Sequence, residues 1–537
     1  MPIKHPHLQK LLKCIELEEA EEIKRYSLDQ QHTLKSLKAE GLAIHPITVT
    51  RKNFGYADYP EISFKINFPF ETNHFKDGAA IECFLQGEET IKGVLINLNG
   101  KSGEFRLFAP DFPDWIEDNG VGIKLSPDQR TTSIMKETLN NLEANKILAE
   151  LFDKIHTTNH TTNSITPSPL ERAGVRSPAL SFKNKNLNES QHKAVGAILA
   201  NEAMTIVHGP PGTGKTTTLI EAIFQLIQKG EKVLVSAPSN TAVDNIAKGL
   251  LQNGIKILRV GNSSKVDDEV FKHTPEGRLS ADAKQLKEIK DLKIRAEQFR
   301  RMALKYKRSF GKAEREQRNL LFKEVRAIRD EIKKIQAYNE EKLYTDAQVI
   351  LGTPIGIYDS KISPTKFNSL VIDEAGQCLE PLAWCIFPMA EKFVLAGDHL
   401  QLPPTVLSQD AMRLGFNRSI LEVCFPKFEQ VYLLNTQYRM KPAIAGFSSN
   451  YFYEGKLLTA LHLQNTHAHV TFIDTAGSGM NEQKGNDGSS LLNEGELQII
   501  QKIIETENLN PLDTAIISPY SGQVTAAREQ FPSSLRI

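Results

Sequence analysis

The chain is poor in the features that mark several protein classes. It carries five cysteines in 537 residues (Cys14, Cys83, Cys378, Cys385 and Cys424), and no two form a CxxC pair. Scattered cysteines exclude a disulfide framework and a cysteine-built zinc site, and they fit a reducing, cytoplasmic setting. No run approaches about 18 uninterrupted apolar residues, so no transmembrane helix and no membrane partner are expected. The first residues, MPIKHPHLQK, have no apolar core, and no secretory signal is expected. Glycine (33) and proline (26) are not in excess, which excludes collagen-like and broadly disordered chains. Net charge is also missing: Lys+Arg and Asp+Glu are both 65, which excludes a uniformly basic coat.

The charge is unevenly spread. Residues 284–343 hold 19 Lys+Arg and 10 Asp+Glu, a net of +9, which leaves −9 for the remainder. This stretch reads as a basic helical insertion. It is either a phosphate-tracking surface or a solvated hairpin.

Three or four domains are expected from the length. Leu8, Leu11, Leu12, Ile15 and Ile23 predict an amphipathic helix within residues 8–40. Short alternating runs from 42 to about 125, punctuated by Gly, Asn, Asp and Pro, predict a small β-barrel. Helical spacing returns over 131–156, so residues 1–156 read as a helix–barrel–helix stalk. Residues 157–182 are polar, Pro-containing and aperiodic, and read as a linker. From 183 the texture is α/β. The runs MTIVH, KVLVSAP, KILRVG, VILGT, SLVIDEA and KFVLAGD are nearly continuous in apolar residues, as in a parallel sheet covered on both faces. The first α/β domain is expected over 183–407. A second series, QVYLLN (430–435), VTFIDT (470–475) and DTAIISPY (513–520), is expected to build another domain over 408–537.

The sharpest chemical signal is HGPPGTGKTTT at 208–218. Gly209, Gly214, Lys215 and Thr216 fit the P-loop pattern, and Pro210, Pro211, Gly212, Thr213 and Thr217 complete the loop and the helix start. Backbone N–H groups of such a turn face phosphate, Lys215 brings charge to the β- and γ-phosphates, and Thr216 can ligate Mg²⁺. The strand LVI ending in Asp373-Glu374 supplies the complement, with Asp373 for Mg²⁺ and Glu374 as base for an attacking water. Gln401, in GDHLQLPPT, can sense the γ-phosphate or position water. TQYRM (436–440) offers Arg439 to the γ-phosphate and Tyr438 as an aromatic face for adenine.

In order, the chain shows LNESQ (187–191), the P-loop, SAPSNTAVDN (236–245), VILGTPIG (349–356), IDEAGQ (372–377), GDHLQLPP (397–404), NTQYRM (435–440) and ISPYSGQV (517–524). This series resembles the superfamily 1B helicases, most of all the up-frameshift and immunoglobulin-mu-binding helicase group. The resemblance implies tandem RecA-like motor domains, ATP and Mg²⁺ as cofactors, and 5′→3′ movement on single-stranded DNA or RNA by a monomer. It also implies that Gln191 reads the adenine edge. Ser239, Asn240 and Thr353 are implied to touch the nucleic-acid backbone, with Ser518, Tyr520 and Gln523 doing so in the second motor domain. Each of these polar residues is equally at home in turn chemistry. Such helicases continue with DxFQGxE and TRA(R) motifs, and neither string occurs here. The second motor domain is therefore expected to be incomplete and the chain a poor motor. Two rival classes remain on the sequence. One is a non-catalytic ATP-binding module for nucleic acid, and the other a P-loop kinase or GTPase, although no NKxD guanine motif is found.

Overall fold

A computed structural model describes the chain except residues 1–4, 27–32, 40, 55–58, 69–74, 76–77, 110–111, 128, 157–181, 201–202, 262–265, 276, 279–290, 293, 297, 300, 304–311, 361, 363–365, 466–468 and 485–489. It divides into two units, Met1–Thr466 and His467–Ile537.

In the first unit, seven short strands form an antiparallel sheet: β1 (Ala43–Ile44), β2 (Thr48–Phe54), β3 (Pro60–Lys65), β4 (Ala80–Phe84), β5 (Ile91–Asn99), β6 (Ser102–Leu107) and β7 (Gly122–Leu125). Their order is β1-β7-β4-β5-β6-β3-β2. The two ends of that order, β1 and β2, are neighbours in the chain, and between them the Ile47 N–H donates to the Val121 carbonyl at 2.8 Å. This bond carries the β1–β7 pairing toward the start of β2, and the seven short antiparallel strands are the all-β unit that the alternating runs predict. Ile44, Ile62, Phe64, Ile81, Leu95 and Phe105 fill the interior.

The flanking helices differ in detail from expectation. The N-terminal segment forms helices Pro6–Tyr26 and Leu34–Ala39. The expected single helix over 131–156 is two, Gln129–Leu142 and Lys146–His156, and Asn145 Oδ1 accepts from the Leu148 N–H at 3.3 Å where the second begins. An asparagine at that place starts a new helix by accepting an orphan N–H. The linker proposed over 157–182 lies outside the described residues, apart from Phe182. Of the basic insertion, the helix Lys312–Asp346 is described, and its Ile328 and Ile332 pack on Ala296, Leu292 and Phe299.

The second sheet of this unit is parallel throughout: β8 (Met204–His208), β9 (Val233–Ser236), β10 (Ile257–Arg259), β11 (Val349–Gly352), β12 (Phe367–Ile372), β13 (Ala390–Gly397) and β14 (Val431–Leu433). The order is β10-β11-β9-β12-β13-β8-β14. Successive residues alternate between faces. Val207, Val235, Leu351 and Val371 meet the helices Glu189–Leu199, Lys215–Gln228 and Asn240–Gln252, while Ile206, Leu234, Ile350 and Leu370 meet a core shared with the stalk helices. Burial on both faces explains the near-continuous apolar runs.

One strand falls in a different sheet from the one expected. QVYLLN does not open a second series. Val431, Tyr432 and Leu433 pair in parallel with Ile206, Val207 and His208 as an edge of the first sheet. The run satisfies the outer edge of β8, and its half-buried residues suit an edge position. VTFIDT forms no strand among the described residues: Val470, Phe472 and Ile473 are 62%, 88% and 47% exposed. DTAIISPY contributes only a bridge from Ala515 to Arg536. The second unit is held by Leu497, Ala527, Phe531 and Leu535, with helices Glu494–Thr506 and Ser521–Gln530.

The helices Pro6–Tyr26 and Lys146–His156 meet the parallel-sheet part of the unit at a buried acid. Glu380 accepts from the His156 and His7 Nε2 atoms at 2.7 and 3.2 Å and from Trp384 Nε1 at 3.1 Å. Burial pushes its carboxyl up, but the hydrogen bonds from His156 and His7 outweigh that and hold it at about 2. Its folded value therefore lies below the ordinary carboxylate value. The stabilisation is complete at neutral pH and is lost as pH falls from about 4.5 toward about 2. His156 is held below the ordinary imidazole value by burial, so acidification weakens the junction there too. Glu380→Ala is expected to cost about 3–5 kcal/mol, because it strands buried polar partners. Glu380→Gln is expected to flatten the acid limb of stability. Denaturant melts between pH 7 and 3 measure both.

Candidate functional site

The C-terminal ends of the parallel strands gather the candidate residues, as open α/β sheets do. β8 runs into the loop 209–214, and the helix Lys215–Gln228 follows. The Gly209 N–H donates to the Gly397 carbonyl at 2.9 Å, which seats the loop against the end of β13. Thr213 Oγ1 donates to the Pro210 carbonyl at 2.8 Å. Two glycines are required here. Gly212 and Gly214 have φ of 75° and 76°. A Cβ on Gly212 would lie 2.7 Å from Arg439 Cβ, and one on Gly214 would lie 2.6 Å from Gln191 Nε2. Pro210 is buried, Pro211 half-buried and Thr217 exposed on the new helix.

Asp373 follows β12 and is 2% exposed. Burial raises its carboxyl to about 6, opposed by the charge of Lys215 and by a hydrogen bond from the Thr216 hydroxyl. Glu374 follows with φ of 52°, a strained conformation for a non-glycine residue, and its N–H donates to Asp373 Oδ1 at 2.9 Å. Lys215 Nζ lies 3.1 Å from Glu374 Oε1, so a phosphate must compete with that carboxylate for the ammonium. The Thr216 hydroxyl and the buried Asp373 carboxylate form an all-oxygen pair, which fits a small, hard cation such as Mg²⁺. Bound there, the ion would neutralise charge on phosphate oxygens.

TQYRM, after β14, packs against the phosphate loop. The Tyr438 N–H donates to the Gly212 carbonyl at 2.8 Å, and its hydroxyl accepts from Asn188 Nδ2 at 2.8 Å. Buried Gln437 builds the turn: its Oε1 accepts from the N–H groups of Arg439 and Met440 at 2.9 and 2.7 Å. Arg439 is left exposed beside the phosphate loop, and Tyr438 is 41% exposed.

Gln191 is hydrogen-bonded at both ends of its amide beside the loop. It is 4% exposed, its Nε2 donates to the Thr213 carbonyl at 3.0 Å and its Oε1 accepts from the Asn188 N–H at 2.9 Å. Both ends of the amide brace the P-loop and cap a helix, so an adenine edge would have to compete for it. Gln401 donates to Asp398 Oδ2 at 2.7 Å.

The nucleic-acid candidates are mostly engaged in turn chemistry. Ser239 Oγ accepts from the Ala242 N–H and Thr353 Oγ1 from the Gly356 N–H, each at 3.2 Å, as helix N-caps. Asn240 Oδ1 accepts from Nη2 of fully buried Arg259 at 2.7 Å. Pairing of β9 with β11 does bring these two loops side by side. In the second unit, Ser518 Oγ accepts from the Tyr520 N–H at 3.2 Å. Gln523 is 6% exposed and exchanges hydrogen bonds with the Asn493 backbone at 2.7 and 3.2 Å. Tyr520 is 44% exposed.

Sequence reasoning missed Gln437, Asn188 and the network around Asp398. Asp398 lies within the GDHLQLPP motif (397–404), but Tyr453, which binds it, had no signal in the sequence.

A strand, a glycine-bent phosphate loop and helix, and a second strand ending in Asp-Glu beside the loop define a P-loop domain of RecA-like architecture. Two families, both described as AAA domain, match residues 186–409 and 416–536. DNA-binding protein SMUBP-2 of Mus musculus is 30% identical over 563 residues, covering 96% of this chain and 54% of that protein. DNA polymerase alpha-associated DNA helicase A of Schizosaccharomyces pombe is 31% identical over 380 residues, covering 65% of this chain and 55% of that protein. ATP-dependent helicase upf1 of the same yeast is 33% identical over 362 residues, covering 63% and 36%. The chain belongs to the superfamily 1 helicases, in their up-frameshift-like group. It spans about half the length of the mouse relative.

Proposed function

We propose that this chain binds Mg²⁺–ATP and hydrolyses it to drive 5′→3′ movement along single-stranded DNA or RNA. One observation carries the chemical part: Lys215, Thr216, Asp373, Glu374, Gln401 and Arg439, spread over more than 220 residues, gather at one edge of one sheet. In the reaction the water oxygen bonds to the γ-phosphorus, the bond from that phosphorus to the bridging oxygen breaks to release ADP, and the water proton passes to Glu374. Lys215 and the loop N–H groups hold the phosphates, Arg439 offsets charge on the transferred group, and Tyr438 offers its ring to the base. The direction and the nucleic-acid partner rest on kinship with the helicase group. The five buried, free cysteines suit a reducing, cytoplasmic setting.

The test is Mg²⁺–ATP binding by the parent and Lys215→Ala. Losing a charge-assisted contact costs about 1.5–3 kcal/mol, or about 10- to 100-fold in affinity. Equal affinities in the two proteins would defeat the proposal. Binding without any strand-stimulated hydrolysis would instead favour a non-catalytic nucleotide-gated binding module.

A further inference from the structure

Asp398, beside the nucleotide loop, accepts four hydrogen bonds, and the chemistry above gives it no role. It is 3% exposed. Its Oδ1 accepts from His208 Nε2 at 3.0 Å and from the Leu400 N–H at 3.1 Å. Its Oδ2 accepts from Gln401 Nε2 at 2.7 Å and from the Tyr453 hydroxyl at 2.6 Å. His208 is the last residue of β8, directly before the P-loop. Tyr453 is 6% exposed and immediately follows the helix Pro442–Phe452, beyond the turn that presents Arg439.

The consequence lies in the amide of Gln401. A carboxylate only accepts, so Gln401 has to turn its NH₂ toward Asp398 and its carbonyl away. Gln401 is itself exposed, and among the described residues its carbonyl oxygen has no hydrogen-bond partner. A carbonyl facing outward repels a phosphate oxygen and accepts from water. Of the two roles open to Gln401, this orientation selects the second.

We propose that Asp398 is a positioning residue for ATP hydrolysis, fixing Gln401 with its carbonyl outward as an acceptor for the attacking water, and that His208 and Tyr453 hold Asp398 in place. This rests on the proposed ATP hydrolysis. Asp398→Asn is a discriminating change. The Leu400 N–H keeps the oxygen of the new amide, so its NH₂ faces Gln401 and draws the Gln401 carbonyl inward. A misplacement of this kind costs up to about 100-fold in rate.

The experiment measures kcat and KM for ATP on the full chain for the parent, Asp398→Asn, Gln401→Ala, the double variant and Tyr453→Phe, with Tm for each. The expected result is a fall in kcat of about 10- to 100-fold in Asp398→Asn and Gln401→Ala, with KM held. The double variant should be no slower than Gln401→Ala, because two residues acting through one contact are not additive. Tyr453→Phe should lower kcat less, again with KM held. If the parent hydrolyses ATP and Asp398→Asn and Tyr453→Phe match it in kcat, or the double variant shows additive losses, the inference is overturned while the proposed function stands. A loss in Tm with kcat unchanged overturns it as well, since that is a purely structural role. A parent without hydrolysis that Lys215→Ala abolishes overturns the proposed function and this inference together.

Discussion

Replacing Arg439 with alanine is expected to slow ATP turnover by about 10³–10⁵-fold, the range in which a cationic finger acts on a transferring phosphoryl group, with a much smaller change in nucleotide affinity. The geometry gives the reason. The Tyr438 N–H is tied to the Gly212 carbonyl at 2.8 Å, and Arg439 approaches so closely that a Cβ on Gly212 would lie 2.7 Å from its own Cβ. Its side chain is nonetheless exposed. The backbone is rigidly seated on the phosphate loop while the guanidinium is free to meet charge that builds up in the transition state. Arg439→Lys should restore little, because an ammonium cannot reproduce the planar, two-pronged contact. Single-turnover hydrolysis and equilibrium binding on the same variants separate the two effects. A turnover rate matching the parent would remove Arg439 from the mechanism.

Glu374→Gln is expected to slow hydrolysis by about 10²–10⁴-fold, the usual worth of a positioned general base. Affinity for ATP should move the other way or hold. Glu374 engages Lys215 at 3.1 Å, and phosphate has to displace it. An uncharged amide competes less well for the ammonium, so the variant should trap ATP. Nucleotide retention after gel filtration and a single-turnover rate provide the measurement. Reduced affinity in Glu374→Gln would mean that the Lys215–Glu374 pair organises the site instead of competing with substrate.

Local chemistry was legible wherever the function needs a fixed residue type at a fixed spacing. The P-loop and the Asp373-Glu374 strand end are of this kind, because phosphate contact dictates glycines, a lysine and a hydroxyl within one turn. The six apolar runs of the first sheet were legible because burial on both faces leaves no room for polar alternation. The antiparallel sheet was legible as alternating short strands, although only pairing between distant segments sets its order, with β1 and β2 at opposite ends.

What the sequence alone determined about this protein is therefore the class of chemistry and the elements that carry it. Tertiary structure decided which sheet received 431–433, that 470–475 joins no sheet among the described residues, and that the Gln191 and Gln523 amides hydrogen-bond within the protein. It also decided that Tyr453 meets Asp398 across 55 positions. The physical reason is common to all four. A strand-forming run, an amide or a phenol carries the same potential wherever it stands, and only the partner brought to it by the folded chain determines whether that potential is used for structure or left for the ligand.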